Sequence, residues 1–235
     1  MSEELKLTEL MELLGEQFSY AEICRLSEEQ KNHYRALLEV FRRVNSSTST
    51  TGEKGTALEE LVAYLLYISG DLFSVVKNAK TGTNEIDEII ELNSKGRPLC
   101  KCGLIPDRLS FFLGECKNYN KRVSVTYIGK FYSLLQTTQI RTGILFSYHG
   151  ISGSNWADGS GLVKKIYLQR EAEHDRVAIV DFNVSDFSAI LDGHNLFEIL
   201  EAKFKSLRFD TEISTFILHH PAEALLGAES GAILS

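Results

Sequence analysis

Phe111-Phe112-Leu113-Gly114-Glu115-Cys116-Lys117 decides the fold, together with two runs C-terminal to it: Val125, Ile128, Phe131, Tyr132 and Leu135, then Gly143-Ile144-Leu145-Phe146-Ser147. Short apolar runs bounded by polar residues read as buried strands, and apolar residues recurring every three or four positions read as an amphipathic helix. Strand, helix, strand in this order makes a βαβ unit, whose crossover is expected to be right-handed. Upstream, Leu72–Val76 and Ile86–Leu92 are two further strand-like runs. Downstream, a glycine-rich loop over 150–161 leads to a helix through Leu162 and Ile166, then a strand from Arg176 to Phe182. A helix around Leu196, Ile199, Leu200 and Phe204 closes the pattern. The expected fold class is α/β, a mixed β-sheet flanked by helices.

The N-terminal part reads as helical. Leu5, Leu7, Leu10, Met11, Leu13 and Leu14 form a first apolar stripe, and Tyr34, Leu37, Leu38, Phe41 and Val44 a second. Ser27-Glu28-Glu29-Gln30 fits a capping box for the second helix. The small polar run 45–52 reads as a linker, and a third helix is expected to start after Gly55 and to end at Gly70-Asp71. This divides the chain into an N-terminal helical extension, residues 1–50, and a domain over 51–235. Residues 93–108 read as a hairpin insertion between two strands.

Composition excludes some classes. The 235 residues are 43% hydrophobic and 24% charged, as in a globular domain with a full core. No apolar run reaches the length of a membrane span, so the expectation is a cytoplasmic protein without a membrane partner. Cys24, Cys100, Cys102 and Cys116 lack the paired spacing of a zinc site and fit free thiols in a reducing compartment.

Net charge is −7, yet between Lys95 and Tyr132 eight basic residues face only two acids. A phosphate backbone responds to that local field. Lys121, Arg122 and Lys130 lie within this basic stretch and are the candidate DNA contacts.

Residues two apart on a strand share a face, so Glu115 and Lys117 project side by side. If the strand carrying Asp87 pairs antiparallel with theirs, Asp87 and Glu115 meet at one end of the sheet. Two carboxylates and the backbone carbonyl of Cys116 would offer oxygen ligands to Mg²⁺, with Mn²⁺ as a substitute. Lys117 would stabilise developing negative charge or orient a water. Glu59 is a candidate fourth residue. It lies about a quarter turn from the apolar face of its helix, but Thr56-Ala57-Leu58-Glu59 also fits a capping box, in which Glu59 would only cap. Taken alone, Glu115 and Lys117 read as a surface ion pair.

Gly-x-x-Leu-Glu heading a helix, Glu85-Ile86-Asp87 opening a strand and Glu115-x-Lys117 ending the next resemble the PD-(D/E)XK nuclease superfamily. The tract 125–153 resembles the catalytic domain of Mrr-like restriction endonucleases. The resemblance covers roughly residues 55–208 through short motifs, and it implies a restriction-endonuclease-like fold. It further implies a metal-dependent DNA endonuclease in which Asp87 and Glu115 bind Mg²⁺, Lys117 assists hydrolysis and Glu59 joins them. Two features depart from the pattern: Ile86 stands where the motif has proline, and 28 positions separate Asp87 from Glu115. The expected partners are DNA, a second copy of the chain (a homodimer or higher oligomer, because cutting two strands takes two sites) and a protein docked on the N-terminal helices. A junction resolvase or repair nuclease of the same fold, and a non-catalytic DNA-binding or assembly module, remain the alternatives.

Overall fold

In the computed structural model, residues 19–80, 85–153, 158–211 and 216 are described. The stripe over Leu5–Leu14, the tail from Pro221 and the loop tryptophan Trp156 lie outside them.

The backbone ladder runs β1 (Phe73–Lys80), β2 (Glu85–Leu92), β3 (Phe111–Cys116), β4 (Thr142–Phe146) and β5 (Ala178–Phe182), side by side in that order. Strand β2 is antiparallel to both β1 and β3, while β3, β4 and β5 run parallel. The sheet is therefore mixed, as its strand and helix order suggested.

The helices are α1 (Tyr20–Ile23), α2 (Glu28–Ser46), α3 (Thr51–Ile68), α4 (Gly96–Lys101), α5 (Val125–Thr138), α6 (Gly159–Leu168), α7 (Val184–Leu191) and α8 (Leu196–Phe209). Alternation along the strands sends side chains to two separate cores. Phe112, Ile144, Phe146, Val180 and Phe182 pack with Tyr34, Phe41, Leu58, Leu61, Phe187 and Leu200 from α2, α3, α7 and α8. On the other face Leu113, Leu145 and Ile179 pack with Ile128, Phe131, Leu135, Val163 and Ile166 from α5 and α6. All five residues of β4 are buried, as a central parallel strand covered on both faces requires. Gly143 is needed there, because a Cβ at this position would stand 2.5 Å from the Phe131 ring of α5.

Local chemistry sets the helix starts. Ser27 and Gln30 form the expected capping box of α2. The start of α3 differs from the expectation: it lies at Thr51, four residues before Gly55, where Thr50 caps the helix and Glu53 closes the box. Gly52 and Gly55 are absorbed into the first turns because the cap outweighs their low helix propensity. Glu59 is consequently more than a turn inside α3 and is not a capping residue.

Residues 93–108 are not a hairpin but contain α4 and the short 3₁₀ turn Asp107–Leu109. Pro98 does not forbid α4, since it occupies the first turn, where an N–H has no helical acceptor anyway. Helix α2 shares the main core with the sheet rather than standing apart from it: Tyr34, Leu38 and Phe41 are fully buried, and the Tyr34 hydroxyl donates to the Phe187 carbonyl at 2.9 Å.

Candidate active site

Three strand-end residues converge where β2 enters the sheet and β3 leaves it. The antiparallel register pairs Glu88 with Gly114, so Asp87 and Glu115 are the next residues along each strand. Lys117 follows the last β3 residue and continues the ladder, its N–H donating to the Phe146 carbonyl of β4 at 2.8 Å. Its Nζ stands 2.6 Å from Glu115 Oε1 and 3.1 Å from Asp87 Oδ2. Cys116 contributes backbone, its N–H donating to Asp87 Oδ2 at 3.3 Å. One ammonium thus gathers two carboxylates at the end of two interior strands.

Burial and charge set the protonation of this group. Burial pushes the Glu115 carboxyl up, and the hydrogen bond and charge of Lys117 only partly offset it. Burial works against the Lys117 ammonium, but Glu115 and Asp87 outweigh it and move the amine well up. Lys117 is therefore a firmly held cation near neutral pH. It can donate to an oxyanion but cannot act as a base.

Glu59 is exposed on α3 and is not brought into the trio, since neither a hydrogen bond nor an ion pair joins it to Asp87, Glu115 or Lys117. Its field is felt at Glu88 and Cys116 instead. The Cys116 thiol is pushed well above its ordinary value by burial first, then by Glu88.

Glu88 is the residue that sequence reasoning missed. Only 2% exposed, it stands with both carboxylate oxygens free of hydrogen bonds, its nearest cation being Lys77 at 3.7 Å on β1. Burial pushes its carboxyl up to about 7. Period two along Ile86, Glu88, Ile90 and Leu92 is the signal that could have found it, because it puts Glu88 on the inward face.

The loop after Lys117 is clamped to α3. Lys54, buried in the first turns of α3, donates to the Asn120 side chain, and the Asn118 amide donates back to the Lys54 carbonyl at 2.7 Å. Lys121 and Arg122 stand exposed in the same loop, and Lys130 is exposed on α5 with its ammonium 5.6 Å from the centre of the Tyr127 ring. All three cations accordingly lie on chain that leaves the Lys117 end of β3. A second charged cluster shares this end of the sheet: Asp181 stands in register with Glu115 through Leu145 and pairs with Lys203 at 3.4 Å, which also reaches Asp186 at 2.9 Å. Nothing in the sequence spacing points to this cluster, whose members come from β5, α7 and α8.

Asp87 and Glu115 are hard oxygen donors, and Mg²⁺ commonly takes one or two protein carboxylates and completes its shell with waters and substrate oxygens. Both carboxylates converge on the Lys117 nitrogen, so they are the oxygen donors from which such an ion would be held. Among the described residues no group of three or more His, Cys, Asp or Glu is placed to hold a metal. No helix among them is long and apolar enough to cross a membrane. No protein-family model matches the chain, and no curated protein matches it.

Proposed function

We propose that this chain is a Mg²⁺-dependent DNA endonuclease of the PD-(D/E)XK type, of restriction or defence character, with a restriction-endonuclease-like fold. The observation that carries the reading is the sharing of the Lys117 ammonium by Asp87 and Glu115 at the exit of β3. Lys203 joins Asp181 and Asp186 in a similar way, and what adds to the sharing at Lys117 is the exposed basic pair Lys121 and Arg122 in the loop directly after it.

Each residue has a role in this reading. Asp87 and Glu115 would hold the ion, with the backbone carbonyl of Cys116 as a further oxygen ligand, while the Cys116 N–H steadies Asp87. The bound ion would polarise the scissile phosphate and lower the pKa of a water. Lys117 would direct its fixed positive charge to the phosphate oxygens, where negative charge grows. Lys121, Arg122 and Lys130 supply sequence-independent contacts to the backbone. Glu59 stays on α3, outside the ion's ligand set. A second copy of the chain would provide the cut on the opposite strand, and the N-terminal helices remain a surface for a protein partner. The cytoplasm, where DNA and reducing conditions coexist, is the expected location.

The test is nicking of supercoiled plasmid in Mg²⁺ or Mn²⁺ by the wild-type chain beside Lys117→Ala. Metal-dependent cleavage by the wild type alone supports the reading; equal cleavage by both proteins, or by neither, removes it. Preference for four-way junctions over linear duplex would move the assignment to a junction resolvase. DNA binding without Asp87-dependent Mn²⁺ binding would move it to a non-catalytic module.

A further inference from the structure

At the opposite end of the sheet, where β3 and β4 begin, lies an open cleft of about 590 Å³. That size falls within the range of small-molecule sites. Three arginines line it, Arg108, Arg141 and Arg176, against two acids, Asp107 and Glu173. One of those acids is occupied, Glu173 accepting from Arg208 at 2.9 Å. Arg141 is held by Asp175 and the His174 carbonyl.

The other two guanidiniums have no carboxylate within ion-pair distance among the described residues. Arg176 is fixed by the carbonyls of Arg170, at 3.0 Å, and Glu171, at 3.3 Å, and lies over the Tyr167 ring. Arg108 lies over the Phe204 ring, and its Nη1 is buried without any hydrogen-bond partner. A charged donor withdrawn from water and left unpaired is costly, so the Arg108 guanidinium gains by turning from the Phe204 ring towards an acceptor in the cleft. Guanidinium forks match phosphate oxygens in particular. Phe111, the first residue of β3, is a cleft residue that remains 42% exposed, presenting a ring on which a flat base can stack.

We propose that this cleft binds a nucleoside phosphate, with the phosphates on Arg108 and Arg176 and the base against Phe111. The site is separate from the Lys117 end, because six residues of strand at about 3.3 Å each span roughly 20 Å. The shared chemistry, a phosphate joined to a base, has two sources: a free nucleotide or the phosphorylated end of a DNA strand.

The experiment is calorimetric titration of the full chain, in EDTA so that the Asp87 and Glu115 site carries no metal. The ligands are ATP, inorganic triphosphate, adenosine and a 5′-phosphorylated DNA trimer. ATP is expected to bind, and Arg108→Gln and Arg176→Gln each to weaken it about tenfold, the worth of one charge-assisted hydrogen bond. Phe111→Ser should weaken ATP while leaving triphosphate unchanged, and Lys117→Ala should change neither. A trimer that outcompetes ATP assigns the site to a strand end, and a trimer that fails to compete assigns it to a free nucleotide. The proposal is overturned by three results: no ATP binding at millimolar concentration, binding untouched by the arginine changes, or binding lost in Lys117→Ala. If thermal melting shows Arg108→Gln unfolded, Arg176→Gln decides alone.

Discussion

The ammonium of Lys117 lies 2.6 Å from the Glu115 carboxylate, two residues back on the same face of the same strand. Because the same ammonium also reaches Asp87, the two carboxylates are already neutralised in part by a protein cation, and an incoming metal must compete with it. Removing the cation therefore has opposite effects on binding and on chemistry. Lys117→Ala should bind Mn²⁺ several-fold more tightly than the wild type, measured by calorimetry, while losing at least ~100-fold in metal-dependent DNA cleavage. Asp87→Asn should lose both. Weaker Mn²⁺ binding in Lys117→Ala would show that the lysine is not the metal's competitor.

Gly114 leaves room for the buried Glu88 carboxylate. A Cβ on Gly114 would approach Glu88 Oε2 to 2.9 Å and the Ile90 methyl to 3.0 Å. Glu88 cannot swing away, because it is enclosed on the covered face of the sheet. Gly114→Ala should destabilise the fold by about 1–3 kcal/mol, the usual cost of overpacking. A urea midpoint equal to that of the wild type would contradict this.

Glu88 also predicts an unusual pH dependence. Its folded pKa is raised from 4.5 to about 7, so between those values the folded chain keeps a proton that the unfolded chain has released. Stability contributed by this group therefore falls as pH rises from about 4.5 to about 7, by up to ~1.4 kcal/mol per unit. Glu88→Gln cannot titrate and should flatten the curve of melting temperature against pH in that window. Parallel curves for the two proteins would rule out the assignment.

Tyr34 ties α2 to α7 through a buried hydrogen bond to the Phe187 carbonyl. Tyr34→Phe keeps the ring and strands the carbonyl, which should cost about 1–3 kcal/mol. If α2 were only an appendage, chemical denaturation of the core would not register the change at all.

Much of this architecture is legible in one dimension. The run Phe111–Lys117, the helix after it and Gly143–Ser147 carry unambiguous periods, and they form β3, α5 and β4. The antiparallel approach of Asp87 to Glu115 follows from the same pattern. The start of α3 is hidden because Gly52 and Gly55 look like breakers, while the cap that overrides them, Thr50 with Glu53, sits inside a run of Ser and Thr. Helix α7 escapes notice because eight residues make barely two turns, too short a window to show a helical period, although Asn183 and Asp186 form its capping box. Glu88 is disguised by its charge, although its place in the alternation puts it inside. Glu59 is a different case. Its helix and face are legible, but no one-dimensional pattern tells which side of the sheet a helix covers.

The β2–β3 ladder has a consequence for how this end of the sheet tolerates change. Asp87 reaches Lys117 by strand register, and among the described residues no hydrogen bond or ion pair joins residues 93–110 to either of them. Slipping the register by one residue would turn Asp87 to the wrong face, and slipping it by two would drive Glu88 out of its glycine slot into the side chain of Phe112 or Cys116. The ladder therefore acts as a ruler that reads zero at Gly114. The distance between the two charges is thus set by the ladder and not by the length of the connecting segment, whose Ile105 and Leu109 serve the main core instead.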